Sequence, residues 1–188
     1  MSHNIFEDGL GYEGKVTLTL KSNDRVLESR IYKNNGTAQL FKFLGYCLIG
    51  HYADVEHLLP TKIALLYNRS ETLANAIPSN VEARSNFIGI SQTPSIISTD
   101  SPAEVKVTYS FEVPRSSIAG DFNQIALYGS SNTNINSDIG NFSAYYYLTD
   151  SSRNVFEMQD ISLWSTTTVL LVEWELSLSN KNIETSDN

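Results

Sequence analysis

A chain of 188 residues with 41% hydrophobic and 18% charged side chains has the size and make-up of one soluble domain around one core. Its formal net charge of -8 argues against a general nucleic-acid binder, which concentrates Lys and Arg on phosphate, and against docking on an anionic membrane surface. The single cysteine, Cys47, excludes an intrachain disulfide and a cysteine-built zinc site.

The first residues, Met1 to Asp8, lack the basic start and apolar core of a signal peptide, and no apolar run approaches the ~20 residues that span a bilayer. A chain made in the cytoplasm is expected. Residues 1–13 read as an extended, glycine-punctuated arm, and 14–180 as a single domain. Val16, Leu18 and Leu20 alternate with Thr17 and Thr19 in a first strand. Ser22-Asn23-Asp24 is turn chemistry, and Val26 to Tyr32 returns as a second strand, which predicts a hairpin. After Gly36 the period changes. Thr37 is a candidate N-cap; Leu40, Phe41, Leu44, Cys47 and Leu48 recur at helical spacing, and Gly50 stands where a left-handed C-terminal cap falls. One packed helix near 37–50 is predicted. Cys47 reads as a small core residue rather than a nucleophile.

Thr61 to Tyr67 is a short, nearly all-apolar run, which implies a strand buried on both faces. Asn86 to Ser91 and Ser95 to Thr99 look like strand pieces, and Asp100-Ser101-Pro102 turns the chain into its clearest element. In Glu104 to Val113, the residues Val105, Val107, Tyr109, Phe111 and Val113 alternate with Glu104, Lys106, Thr108, Ser110 and Glu112 until Pro114 ends the run. One dry face and one wet face follow. Further strands are expected at Phe122 to Tyr128, Phe142 to Thr149, Val155 to Met158 and Thr167 to Ser179. The Asn/Ser-rich stretch 129–141 reads as a long surface loop, and 181–188 as a polar, disordered tail. Many short strands with one helix predict a mainly β protein, an antiparallel β-sandwich or open barrel.

Chemistry is thinly signalled. His51, Asp54, Glu56 and His57 lie in one stretch and offer imidazole and carboxylate ligands, so His51, Asp54 and His57 are the metal candidates, and a metal-dependent hydrolase the enzyme reading they would support. Their spacing matches no ligand motif, and an ordinary polar loop is the simpler account. Glu173 and Glu175 flank Trp174 and share a strand face, a pairing of carboxylates beside an aromatic that glycosidase sites also use, yet i and i+2 charges on a wet face ordinarily serve solubility. No phosphate-binding loop, nucleophile elbow or zincin helix occurs, so neither a catalytic residue nor a cofactor is assigned. Tyr145 and Tyr147 share one strand face and, with Tyr128 and Trp164, are the candidates for an interaction surface, because a tyrosine ring suits a boundary that is dry on one side. A sugar-stacking platform is the alternative use of the same rings.

Several segments together resemble the small β-sandwich virion structural proteins of tailed bacteriophages. These are Lys15-Val-Thr-Leu-Thr-Leu20, Gly36-Thr-Ala-Gln-Leu-Phe-Lys-Phe-Leu44 running on to Leu48-Ile-Gly50, Phe111-Glu-Val-Pro114, Gln124-Ile-Ala-Leu-Tyr128 and Leu170-Leu-Val-Glu-Trp-Glu-Leu176. The resemblance spans Gly14 to Asn180 and is one of pattern and residue type. It implies a hairpin-then-helix opening, a sandwich closed by the strand carrying Trp174, and a non-enzymatic assembly subunit of the tail, neck ring, baseplate or capsid surface. Partners would then be other virion proteins and copies of the chain itself, with a host-surface glycan as the alternative partner and the virion as its location.

Overall fold

The computed structural model describes residues 9–36, 38–50, 60–68, 81–100, 103–129, 142–147 and 164–181. The expected strand at Val155 to Met158, the Thr37 cap and the loop 130–141 fall outside them.

The chain opens with strands β1 (Gly9–Ser22) and β2 (Arg25–Gly36), joined by the two-residue turn Asn23-Asp24. Asn23 takes a left-handed φ of 52°, a conformation that its short side chain tolerates better than a branched one would. β1 begins at Gly9, so residues 9–13 are sheet rather than arm: Gly9 to Glu13 pair with the end of the last strand. Helix α1 (Ala38–Leu48) follows, and Gly50, with φ 74°, donates its N–H to the Cys47 carbonyl as the helix stops.

Then come β3 (Lys62–Asn68), β4 (Val81–Ala83), β5 (Ile88–Gly89), β6 (Ser95–Asp100) and β7 (Ala103–Pro114). A 3-10 turn, Arg115–Ser117, leads to β8 (Gln124–Tyr128), β9 (Phe142–Tyr147) and β10 (Thr168–Lys181). All pairings are antiparallel. One sheet runs β2-β1-β10-β7-β6; the other runs β9-β8-β3, with β4 and β5 sharing the far side of β3. The end of β2 pairs with β9 through Asn35 and Gly36, and this links the two sheets along one edge.

The inner faces meet in a single core. Val16, Leu18 and Leu20 of β1, Phe111 and Val113 of β7, and Leu170, Val172, Trp174 and Leu176 of β10 pack with Ile63 and Leu65 of β3 and Ile125 and Leu127 of β8. This is a mainly β, sandwich-type architecture, as the alternation predicted. Leu40 and Leu44 bring α1 onto that core beside β9 and β2, whereas Phe41 and Leu48 on the same helix stay exposed. The apolar stripe of α1 is thus wider than the surface it covers. β3 and β8 are buried on both faces: Ala64, Leu66, Ala126 and Tyr128 point away from the core and are nonetheless closed to solvent, with Phe87 stacked on Tyr128 at 4.5 Å. The unbroken apolar run of β3 reported that environment correctly.

Candidate interaction surface

β10, which carries Trp174, lies inside its sheet, flanked by β1 over fourteen residue pairs and by β7 over eleven. This arrangement fixes the wet face of the five-stranded sheet. Because β10 is in register with both neighbours, its outward residues line up in rows with theirs: Lys15 beside Glu175 and Thr108, Thr17 beside Glu173 and Ser110, Thr19 beside Leu171 and Glu112. The face is built from short hydroxyl side chains and charge pairs. Lys15 sits 3.3 Å from Glu175 and Lys106 3.3 Å from Glu104, while Thr19 and Ser29 share a 3.0 Å hydrogen bond across β1 and β2. Such exposed pairs contribute on the order of 0.2–1 kcal/mol each, so they serve neutrality and register more than stability. The two glutamates flanking Trp174 therefore have ordinary surroundings: Glu175 is ion-paired and Glu173 faces solvent.

At one end of this face Ser177 is buried, and its hydroxyl donates a 2.6 Å hydrogen bond to Glu104. That bond, helped by the Lys106 ammonium, holds the Glu104 carboxyl below its ordinary value. On the opposite, inner face, burial pushes the Tyr109 hydroxyl up to about 12.

Toward the other end lies a groove of about 230 Å³. β1 supplies Thr19 and Lys21, β10 supplies Leu171 and Glu173, and β7 supplies Ser110 and Glu112; Ser91 and Gln92 form the remaining wall. That wall exists because β6 stops short: beyond Ser95 the edge of β7 is met by Ser91, whose N–H and hydroxyl both donate to the Ser110 carbonyl, at 2.8 and 2.9 Å. The groove offers two exposed carboxylates, one ammonium and several hydroxyls. It can accept and donate hydrogen bonds to a polar partner.

The residues singled out for an interaction surface divide. Tyr128 is fully buried, and Trp164 is buried in the core cluster, so neither belongs to an exposed patch. The reason is topological: Tyr128 lies on β8, an inner strand covered on both sides, and the Trp164 ring is drawn into the core just before β10 begins. Tyr145 and Tyr147 stand on β9, where they pair through the backbone with Ala126 and Gln124; their side chains are outside the described residues. The candidate ligands His51, Asp54 and His57 are likewise outside them. Among the described residues no cluster of three or more His, Cys, Asp or Glu is placed to hold a metal ion, and no helix is long and apolar enough to cross a membrane.

Sequence reasoning missed two groups. Ser91 and Gln92 escaped because a groove wall made by an irregular segment has no periodic signature. Ile96 and Ile97 were read only as part of a strand, although two consecutive isoleucines place one apolar side chain on each face, which itself signals an edge strand needing cover. Comparison with protein-family models, with curated proteins and with solved structures found no match for this chain.

Proposed function

We propose that the chain is a non-enzymatic structural subunit of a tailed-bacteriophage virion, a component of the tail, neck ring, baseplate or capsid surface that works by docking on other proteins and on copies of itself. One observation carries the reading: the sheet β2-β1-β10-β7-β6 presents a broad wet face whose lysines largely stand beside glutamates, ending in a solvent-exposed strand. Opposite charges already paired at fixed register give a surface that another protein can cover without stranding an isolated charge. The order β1, β2, α1 supports it further, because it matches the hairpin-then-helix opening of the proteins that the sequence resembles.

The test is mass spectrometry of purified particles from the producing phage, together with mass photometry of the isolated chain. Peptides of the chain at stoichiometric level in particles are expected. Their absence from particles, with a chain that stays monomeric at every concentration, would overturn the proposal. A glycan array run alongside would instead reveal recognition of host-surface sugars.

A further inference from the structure

The two ends of the strand order are finished differently. At the β3 end, the outer edge is sealed. Leu65 donates its N–H to the Ser85 hydroxyl and accepts from Arg84 N–H, Ile90 N–H donates to Thr61, and the segment beyond is itself bridged by Ile118 and Ala119. At the other end stands β6, all six of whose residues are exposed. Ile96 is 70% and Ile97 60% exposed, one on each face, and from Ser95 to Thr99 there is no charge, proline or bulge to blunt the edge. Natural proteins guard such edges or pair them.

We infer that β6 is an assembly edge at which a second copy of this chain adds its own β6 antiparallel, across a two-fold axis perpendicular to the sheet through Ile97. This contact gives the subunit reading its interface and to that extent rests on it. Three features favour a second copy over an unrelated strand. First, a two-fold axis of this kind automatically supplies an antiparallel strand of equal length, so the backbone on either side of Ile97 meets a matched strand. Second, the axis sets Ile97 directly against its own copy on the wet face and brings the two Ile96 side chains into diagonal reach on the other. There Ile96 adjoins Val107, with Val105 and its 41% exposure nearby, so the two copies join their apolar shelves where the second sheet no longer covers them. Third, a chain with net charge -8 repels its copies over most of its surface, whereas this strand is neutral up to Asp100. The axis puts the two Asp100 carboxylates about 20 Å apart, six residues of strand rise, beyond the screening length at physiological salt.

Analytical ultracentrifugation of the full chain decides it. Reversible dimers, or larger species built from them, are expected. Ile97→Lys, which sets two ammonium groups face to face at the axis, should weaken association more than about tenfold. Ile31→Lys, at an equally exposed isoleucine on β2, should leave it unchanged. In a Cys47→Ser background, Ile97→Cys should form a covalent dimer on mild oxidation. Ser95→Cys should not, because its copy lies four residues further along and out of disulfide reach. A wild-type chain that remains monomeric, or association indifferent to Ile97→Lys, would overturn the inference. A dimer sensitive to Ile97→Lys in a protein absent from particles would overturn only the virion reading. A particle component that associates normally with Ile97→Lys would overturn only this one.

Discussion

Gln124 is the most informative residue to perturb. It lies on β8, 1% exposed, on the face of the strand turned away from the core, with Leu66 and Tyr147 as its backbone neighbours on either side. Neither atom of its amide has a hydrogen-bond partner among the described residues, although the nearby backbone is well served: Asn123 N–H donates to the Leu66 carbonyl at 3.0 Å. A buried amide without partners costs about 1–3 kcal/mol relative to water. Methionine has nearly the same length and loses similar rotamer freedom on burial, so Gln124→Met removes that cost while leaving packing in place. The expected gain is about 1–2 kcal/mol, which for a chain of this size raises the melting temperature by roughly 2–8 °C. Urea unfolding followed by far-ultraviolet circular dichroism measures it, and an unchanged m-value would show that the gain belongs to the folded state. Leu127→Ala, at a fully buried apolar neighbour, serves as the reference and should lose about 2–5 kcal/mol. A Gln124→Met chain no more stable than the original would refute the reasoning, because the amide would then have to be satisfied.

Trp174, fully buried between β1 and β7, should cost about 3–5 kcal/mol on Trp174→Ala, read from the shift of the urea midpoint. Tyr109 is held neutral by burial to about pH 12 while its unfolded counterpart ionises near the ordinary tyrosine value of 10.0, so the unfolded state releases its proton first and stability should fall by about 1.4 kcal/mol per pH unit across that interval. Tyr109→Phe should remove that alkaline slope in pH-dependent melting. Glu104 behaves in the opposite sense: its lowered pKa contributes stability that is present above the ordinary carboxylate range and lost as pH falls through the folded-state value. Ser177→Ala, deleting the main cause, should raise the Glu104 pKa in carboxylate NMR titration, and a titration curve that does not move would show that Lys106 carries the effect instead.

The elements most legible in the sequence were those whose two faces differ. Val105 to Val113 and Leu170 to Leu178 alternate because one face is dry, and β7 and β10 run as predicted, paired residue for residue. The helix was legible for the same kind of reason at a different period, and Gly50 marked its end. β4, three residues long, is too short to show any period. Aromatic residues misled most. A tyrosine or tryptophan has an apolar body and a polar tip, so its type is compatible with either surface or interior. Tyr128 and Trp164 turned out to be interior, and nothing in their local sequence distinguished them from the residues expected at an interface. The alternation in β2 left open which face was dry; pairing with β1 put Tyr32 toward the core and left Ile31 in water.

By itself, then, the sequence determined that this is an acidic, mainly β chain with a helix after its first hairpin, and which residues of each strand share a face. Those are local properties, fixed by the period of apolar side chains and by turn residues such as Asn23 and Gly50. Only the tertiary structure decided which strands are neighbours, and with that everything about the surface. The insertion of β10 between β1 and β7 aligns the rows of the wet face. The sealing of β3 by Ser85, Ile90 and the strands beside them leaves β6 as an exposed edge of the described strands. The pairing of β1 with β10 joins residues more than a hundred positions apart, and a periodic pattern carries no record of its partner.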